Sequence, residues 1–272
     1  MKSFKVGFLG AGNMGEAMIK GLLGRGFKAT DIVAFDVDRA KLDRICKTYK
    51  VRRAAKLAEA LAVDAAVVAV KPQAMAGLLA ELAAAPKFPL ILSIAAGVRV
   101  SRFRAALKKV RVIRAMPNTP ALVGEGVSGW FAGPGCQKRD LDLADAILSS
   151  FGAAFRVADE NLLDAVTGLS GSGPAFVFVM IEAMADAGVL CGLPRALALE
   201  LAARTVAGAG RMVIVTGEHP GALKDKVASP GGTTIAGLAE LEAEGFRGAV
   251  IEAVAAASER AYELSGGDDE DD

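Results

Sequence analysis

The sequence holds one histidine, His219, and three scattered cysteines, Cys46, Cys136 and Cys191. With no Cys/His cluster, no zinc site and no other metal site are expected. An odd, dispersed cysteine count fits a reducing compartment and argues against a disulfide framework. A Ser-His-Asp triad would have to use His219, beside Pro220 and Gly221 in an expected helix connection, a poor place for a positioned base. Long hydrophobic runs are also missing. The longest, residues 88–98 and 173–181, fall short of the ~18 residues that span a bilayer. Residues 1–9 lack a full apolar leader core and a small-residue cleavage site, so a soluble cytoplasmic protein is the expectation. Neither sign of charge dominates: 32 basic residues face 31 acidic ones. Nothing therefore advertises nucleic acid or a membrane surface as a partner. Basic pairs such as Arg52-Arg53 and Lys108-Lys109 read as solvated edges, and the acidic end of the chain, 265–272, as a disordered tail.

Apolar residues are abundant instead, at 53% with a mean hydropathy of +0.38. That excess predicts a large buried surface, part of it between subunits. At 272 residues the chain fits one large or two ordinary domains.

Residues 5–9 read as a buried strand running into Gly10-Ala11-Gly12-Asn13-Met14-Gly15, followed by a helix with Ala17, Met18, Ile19, Leu22 and Leu23 on its inner side. This is G-x-G-x-x-G with a strand before it and a helix after it, the context of a dinucleotide fingerprint. Gly10 permits the tight turn, Gly12 lets the backbone approach a pyrophosphate, and Gly15 lets helix and strand pack closely. A second strand, 32–35, ends at Asp36, roughly twenty residues on, where a ribose 2′-hydroxyl is expected. A carboxylate there favours NAD, whereas Arg39 suits the extra phosphate of NADP, so the choice stays open. Asp38 reads equally well as the N-cap of a helix over 39–49.

Strands and helices go on alternating. Strands are predicted at 65–70, ended by Lys71-Pro72, at 90–94, ended by Ala95-Ala96-Gly97, and at 110–115, ended by Met116-Pro117-Asn118. Short apolar strands separated by helices imply a parallel sheet covered on both faces, with ligands at the strands' carboxyl ends. Those ends are the Gly10–Gly12 turn, Asp36, Lys71-Pro72, Ala95-Ala96 and Asn118. Strands at 127–132 and 154–157, with a helix between, extend the sheet. No strand pattern follows Asp159. A short helix over 160–168, a glycine turn at 169–174 and five further helices are expected. The first of these helices, 175–191, carries six consecutive apolar residues from Phe176 to Ile181 and is expected to be buried on all sides. The fold class is therefore α/β, with a Rossmann-type domain over 1–159 and an all-α domain over 160–264.

The helical half has few candidates for acid–base work; Glu182, Asp186, Glu200 and Glu240 read as helix-surface residues. Hydride transfer needs little of that kind, since a cofactor carries the reducing equivalent. The remaining unusual stretch is Ser229-Pro230-Gly231-Gly232-Thr233-Thr234-Ile235. Its glycines let the backbone turn N–H groups into one concavity at a helix start, with two threonine hydroxyls at the rim. Such a loop suits a small carboxylate; an ordinary turn with a threonine N-cap has the same pattern.

These segments resemble pyrroline-5-carboxylate reductases over essentially the whole length to about Leu264. The resemblance rests on the Phe8–Gly15 segment, Ala69-Val70-Lys71-Pro72-Gln73, Met116-Pro117-Asn118-Thr119-Pro120, residues 164–175, Leu223-Lys224-Asp225 and Ser229–Ile235. It implies reduction of the cyclic imine of 1-pyrroline-5-carboxylate to L-proline with NADPH or NADH. Carried over by motif, Gly10, Ala11, Gly12, Asn13, Met14, Gly15, Ala69, Val70, Lys71, Pro72, Ile94, Ala95 and Ala96 would hold the cofactor; Asp36, Arg39, Lys56 and Asn118 join them as candidates by position. Ser229, Gly231, Gly232 and Thr233 would hold the substrate carboxylate, Thr234 the ring nitrogen, and Glu160 would border the substrate. The family builds dimers through interlocked helical domains, often in rings of dimers. Two positions depart from its pattern: Lys56 stands where an asparagine often borders the adenosine ribose, and Lys226 where a polar amide often stands. Related imine reductases and β-hydroxyacid dehydrogenases share this architecture. The latter are expected to show a catalytic lysine on a helix of the second domain, for which Lys224 is the nearest basic residue. A non-catalytic dinucleotide-binding regulator would keep the 10–15 loop without needing the 229–234 loop.

Overall fold

The computed structural model describes residues 4–85 and 87–266; the acidic stretch 267–272 read as a tail, and Met1–Ser3, lie outside them. The strands are β1 (Val6–Leu9), β2 (Ile32–Phe35), β3 (Arg52–Arg53), β4 (Ala65–Val68), β5 (Leu90–Ser93), β6 (Val112–Met116), β7 (Gly126–Ala132) and β8 (Gly152–Arg156). The helices that cover them are α1 (Asn13–Gly24), α2 (Arg39–Tyr49), α3 (Leu57–Leu61), α4 (Met75–Leu82), α5 (Val100–Ala106) and α6 (Lys138–Leu148). Every residue of β1, β4 and β5 is buried, because helices pack on both faces of the sheet, and that is why these strands are unbroken apolar runs.

The sheet order is β3-β2-β1-β4-β5-β6-β7-β8. Val6 pairs with Ile32 on one side and Ala65 on the other, both in parallel register. The order reverses at β1, so the carboxyl ends of β1 and β4 flank the crevice in which such sheets bind ligands. The expected all-parallel sheet fails at one pair: β7 runs antiparallel to β6, with Met116 opposite Gly129. Only a short 3-10 turn, Thr119–Val123, joins the two strands, too little chain for a parallel crossover. Helix α6 then carries the chain across, and β8 lies parallel to β7. Arg52 and Arg53, read as a solvated edge, form the two-residue edge strand β3 while staying exposed.

Helices α1 and α2 are joined by a charged pair that periodicity does not reveal. Arg44 Nη1 and Nη2 donate to the two Glu16 oxygens at 2.9 and 2.6 Å, and Tyr49 Oη donates to Oε1 at 3.0 Å. The Arg44 guanidinium holds the Glu16 carboxyl below its ordinary value. A lowered folded pKa contributes stability that is present above the unfolded value of about 4.3 and lost as pH falls through the folded one. Glu16→Gln is therefore expected to lower Tm by about 2–4 °C at pH 7. The gap to the unmodified protein should close as pH drops below 4 in a thermal melt series; a pH-independent gap would show that ionisation is not the source.

After β8 come α7 (Leu162–Val166), a π-helical turn Thr167–Gly171, α8 (Gly173–Leu190), α9 (Arg195–Thr216), α10 (Pro220–Val227), α11 (Thr233–Ala243) and α12 (Phe246–Leu264). The glycine turn expected at 169–174 does not interrupt the helix. Ser172 N bonds to Thr167 O at 2.8 Å, and the Thr167 and Ser170 hydroxyls donate back to Leu163 O and Val166 O. These bonds satisfy carbonyls that a wide turn leaves loose.

By contact the chain forms two compact units: Gly173–Ala255, and the rest of the chain. The change in sequence pattern near 160 thus falls before the division by contact. Val166 of α7 lies against Gly129 of β7, where a Cβ would come within 2.7 Å of its Cγ1. Glu160 and Asp164 pair with Arg114 of β6. Ser265, assigned to the tail by sequence, is buried in the first unit.

Candidate active site

The first unit carries the nucleotide loop. Gly10 sits at φ +106°, and a Cβ there would lie 2.6 Å from Ala69 O. Both facts require glycine. A Cβ on Gly15 would lie 2.7 Å from Gly10 O, so glycine lets α1 close onto the turn. Gly12 differs: it has an ordinary φ of −75°, and a Cβ would meet no atom within 4 Å. The protein itself does not need glycine there, whereas a pyrophosphate drawn up to the backbone does. Gly12 is also the N-cap of α1 with no side-chain cap, and the first bond of the helical ladder is Glu16 N to Gly12 O. The N–H groups of Asn13, Met14 and Gly15 precede that ladder and lie at the positive end of the helix. The residues present fit a dinucleotide.

Asp36 stands at the end of β2 as expected, but its carboxylate is already engaged. Oδ2 accepts from Ala11 N at 2.7 Å and Oδ1 from Asp38 N at 2.9 Å. It braces the glycine loop from beside the ribose position, and it takes the Ala11 N–H out of the phosphate cradle. Asp38 caps α2 through Lys41 N, and the Arg39 side chain beside it is exposed. Val37 between them is 85% exposed, an apolar surface at the strand end that sequence reading passed over.

Ala69, Val70, Lys71 and Pro72 follow β4, and Ile94, Ala95 and Ala96 follow β5, all at carboxyl ends. Asn118 is buried and its amide is engaged inside the protein: Nδ2 donates to Ser170 O at 3.0 Å and Oδ1 accepts from Val127 N at 2.8 Å. It pins the end of β6 to β7 and to the π-turn, leaving one amide N–H and one lone pair beyond these bonds. Lys56 is exposed at the start of α3. It lies at one end of a cavity of about 900 Å³ that extends to Asp64, Pro89 and Arg111 at the amino ends of β4–β6. Lys56 itself follows the carboxyl end of β3, which runs parallel to β2, so it stands on the side of the sheet where a nucleotide binds.

Glu160 is also committed. Its Oε1 accepts from Val100 N at 2.9 Å and from Arg114 Nη1 at 3.1 Å. Arg114, Arg99 and Asn161, which lie around it, carry no motif in the sequence, and Asp164 enters only as the first residue of the 164–175 resemblance segment. A buried arginine on an otherwise apolar strand was the available signal.

The second unit carries the 229–234 loop. Gly231 is left-handed at φ +67°, Gly232 N bonds to Ser229 O at 3.1 Å, and Gly232 is the N-cap of α11. The first ladder bond is Ala236 N to Gly232 O at 3.3 Å. The N–H groups of Thr233, Thr234 and Ile235 therefore precede the ladder at a helix N-terminus with no side-chain cap. This excludes the threonine N-cap, since both threonines are inside the helix. Thr234 is half-buried, while Ser229 and Thr233 are exposed. Lys224 and Lys226, on α10, are held by Asp225 and Glu218, each at 2.5 Å.

Relatives support this picture across nearly the full chain. A pyrroline-5-carboxylate reductase from Synechocystis is 47% identical over 264 residues, covering 96% of this chain and 98% of its own. The chain belongs to the pyrroline-5-carboxylate reductase family. The family model for pyrroline-5-carboxylate reductase dimerisation matches residues 160–264, and one for NADP oxidoreductase, coenzyme F420-dependent, matches residues 5–97. Among solved structures, a pyrroline-5-carboxylate reductase from Coxiella burnetii superposes with a TM-score of 0.92 at 34% identity, covering 97% of this chain and 99% of its own. A pyrroline carboxylate reductase from Plasmodium falciparum with NADP bound superposes at 0.86 with 30% identity, covering 97% and 99%. The NADP oxidoreductase match takes in the 10–15 loop, and the dimerisation match takes in the helical segment.

Proposed function

We propose that the chain reduces 1-pyrroline-5-carboxylate to L-proline with NADPH or NADH, the last step of proline synthesis, in the cytoplasm. The observation that carries this reading is the α11 N-terminus: a left-handed Gly231, three N–H groups ahead of the helical ladder and the Thr234 hydroxyl among them. Residues 10–15 hold the pyrophosphate, and the backbones after β4 and β5 line the cofactor. When bound, the nicotinamide supplies the hydride. Ser229, Gly231, Gly232 and Thr233 hold the substrate carboxylate, and Thr234 Oγ1 hydrogen-bonds the ring nitrogen. A donor there makes the imine carbon more electrophilic, and the nitrogen takes a proton as it becomes an amine. A β-hydroxyacid dehydrogenase reading loses support because both lysines near the loop are ion-paired. A steady-state assay following nicotinamide absorbance with pyrroline-5-carboxylate and NADPH or NADH is expected to show turnover. No turnover with either cofactor sinks the proposal.

The functional form we propose is a homodimer through the helical segment, with rings of dimers as its larger assembly. Helix α8 was expected to be buried all round, yet in the single chain Phe178 and Val179 are 62% and 66% exposed and only Ala185 is buried. The helical run Leu162–Leu190 is long and apolar enough to cross a membrane, with a mean hydropathy of 1.6 over an 18-residue window. The dimerisation match over the same residues favours a second copy as its cover. Phe178→Asp is expected to shift the protein from dimer or larger to monomer in light scattering without detergent. An unchanged mass would remove α8 from the interface.

A further inference from the structure

The loop from Ile94 to Arg99, between β5 and α5, is held by two other segments of the same unit, residues 160–164 and 264–265. Arg99 Nη1 donates to Asn161 Oδ1 at 2.7 Å, and its Nε and Nη2 donate to Ser265 O and Oγ, both at 3.2 Å. Its Nη2 lies 3.8 Å from Asp164 Oδ2. One residue on, Val100 N donates to Glu160 Oε1. Arg114 closes the cluster by reaching both Glu160 and Asp164. From the other side, Gly97 at φ +70° presses against the end of α12, where a Cβ would lie 2.8 Å from Leu264 O. The partners of this loop are thus residues 160–164 and 264–265, the two ends of the segment that matches the dimerisation family.

Two arginines and two carboxylates make the cluster neutral, with side-chain exposures from 5% to 16%. Asp164 Oδ1 has no hydrogen-bond partner and lies 3.5 Å from Arg114 Nη2, while Arg99 faces Oδ2, so the carboxylate relies on the two guanidinium groups for its counter-charge. Buried charge of this kind is tolerated only while complete. Arg99 alone binds three acceptors on two segments far apart in sequence, which its planar fork allows and a lysine ammonium does not.

We infer that Arg99 is a positioning residue for the cofactor loop: it locks Ile94, Ala95 and Ala96 in place by anchoring the loop's end to both ends of the dimerisation segment. This rests on the reading that the loop borders the bound dinucleotide. Arg99 touches neither cofactor nor substrate and acts through the backbone it fixes.

The test measures NADPH binding by fluorescence titration, together with kcat and both KM values, for the unmodified protein, Arg99→Met and Arg99→Lys. Expected for Arg99→Met is a ~10-fold weaker NADPH Kd, a raised NADPH KM and an unchanged KM for pyrroline-5-carboxylate. Arg99→Lys, keeping the charge and one donor set, should recover part of the NADPH affinity. Unchanged NADPH affinity in both variants overturns the inference. So does an equal loss in both KM values with no rescue by lysine, which marks a merely structural residue. Failure of the unmodified protein to bind NADPH would instead overturn the reading on which the inference rests.

Discussion

Thr234→Ala is expected to lower kcat by roughly 10- to 100-fold, with the KM for NADPH unchanged within about a factor of two. The size follows from the group removed. A hydrogen bond to a site where charge develops is worth about 1.5–3 kcal/mol, and each 1.4 kcal/mol is tenfold in rate. The fold should tolerate the change, because Thr234 is the second residue of α11 and alanine has the higher helix propensity. Only the hydroxyl is lost; the Thr234 N–H stays ahead of the ladder for the carboxylate. Thr234→Ser keeps the oxygen and should restore most of the rate. The measurement is a pair of saturation curves, one in each substrate. An unaltered kcat would take Thr234 out of the mechanism and leave only the N–H groups of the loop.

Gly12→Ala is expected to weaken NADPH binding by ~100-fold while leaving Tm within about 1 °C, because it opposes close backbone approach to the pyrophosphate alone. A Cβ at Gly12 meets nothing within 4 Å, and its φ is ordinary, so the folded protein has no objection to alanine. Gly15→Ala is the control: its Cβ would sit 2.7 Å from Gly10 O, so both stability and affinity should fall. Titration calorimetry with NADPH and a thermal melt on the two variants separate the cases. Normal NADPH affinity in Gly12→Ala would mean that the pyrophosphate does not approach this backbone.

What the sequence made legible was local. The strand, turn and helix around Gly10–Gly15, the acid at the end of β2, the helix cap at Asp38 and the helical half all follow from short-range patterns, and the structure has each of them. Side-chain commitments between distant residues were not legible. Asp36 points back to Ala11, Asn118 reaches Ser170 and Val127, and Glu160 is held by Val100 and Arg114. Their types and positions invited roles toward ligands, but no periodicity encodes which distant partner a polar group finds. The glycine cluster at 168–173 misled for a related reason. Glycine permits a turn without requiring one, and the two hydroxyls at Thr167 and Ser170 turn it into a widened helix. The antiparallel β7 was readable in principle from the short connection after Asn118, and the sheet reading gave that length too little weight.

The central claim is hydride transfer from the nicotinamide to the imine carbon of pyrroline-5-carboxylate, and isotope placement tests it most directly. With NADPH carrying deuterium at both C4 positions of the nicotinamide, the purified protein should yield L-proline with one deuterium, at the ring carbon that was doubly bonded to nitrogen. Mass spectrometry and proton NMR read both the count and the position. No proline, or proline without deuterium at that carbon, would contradict the account.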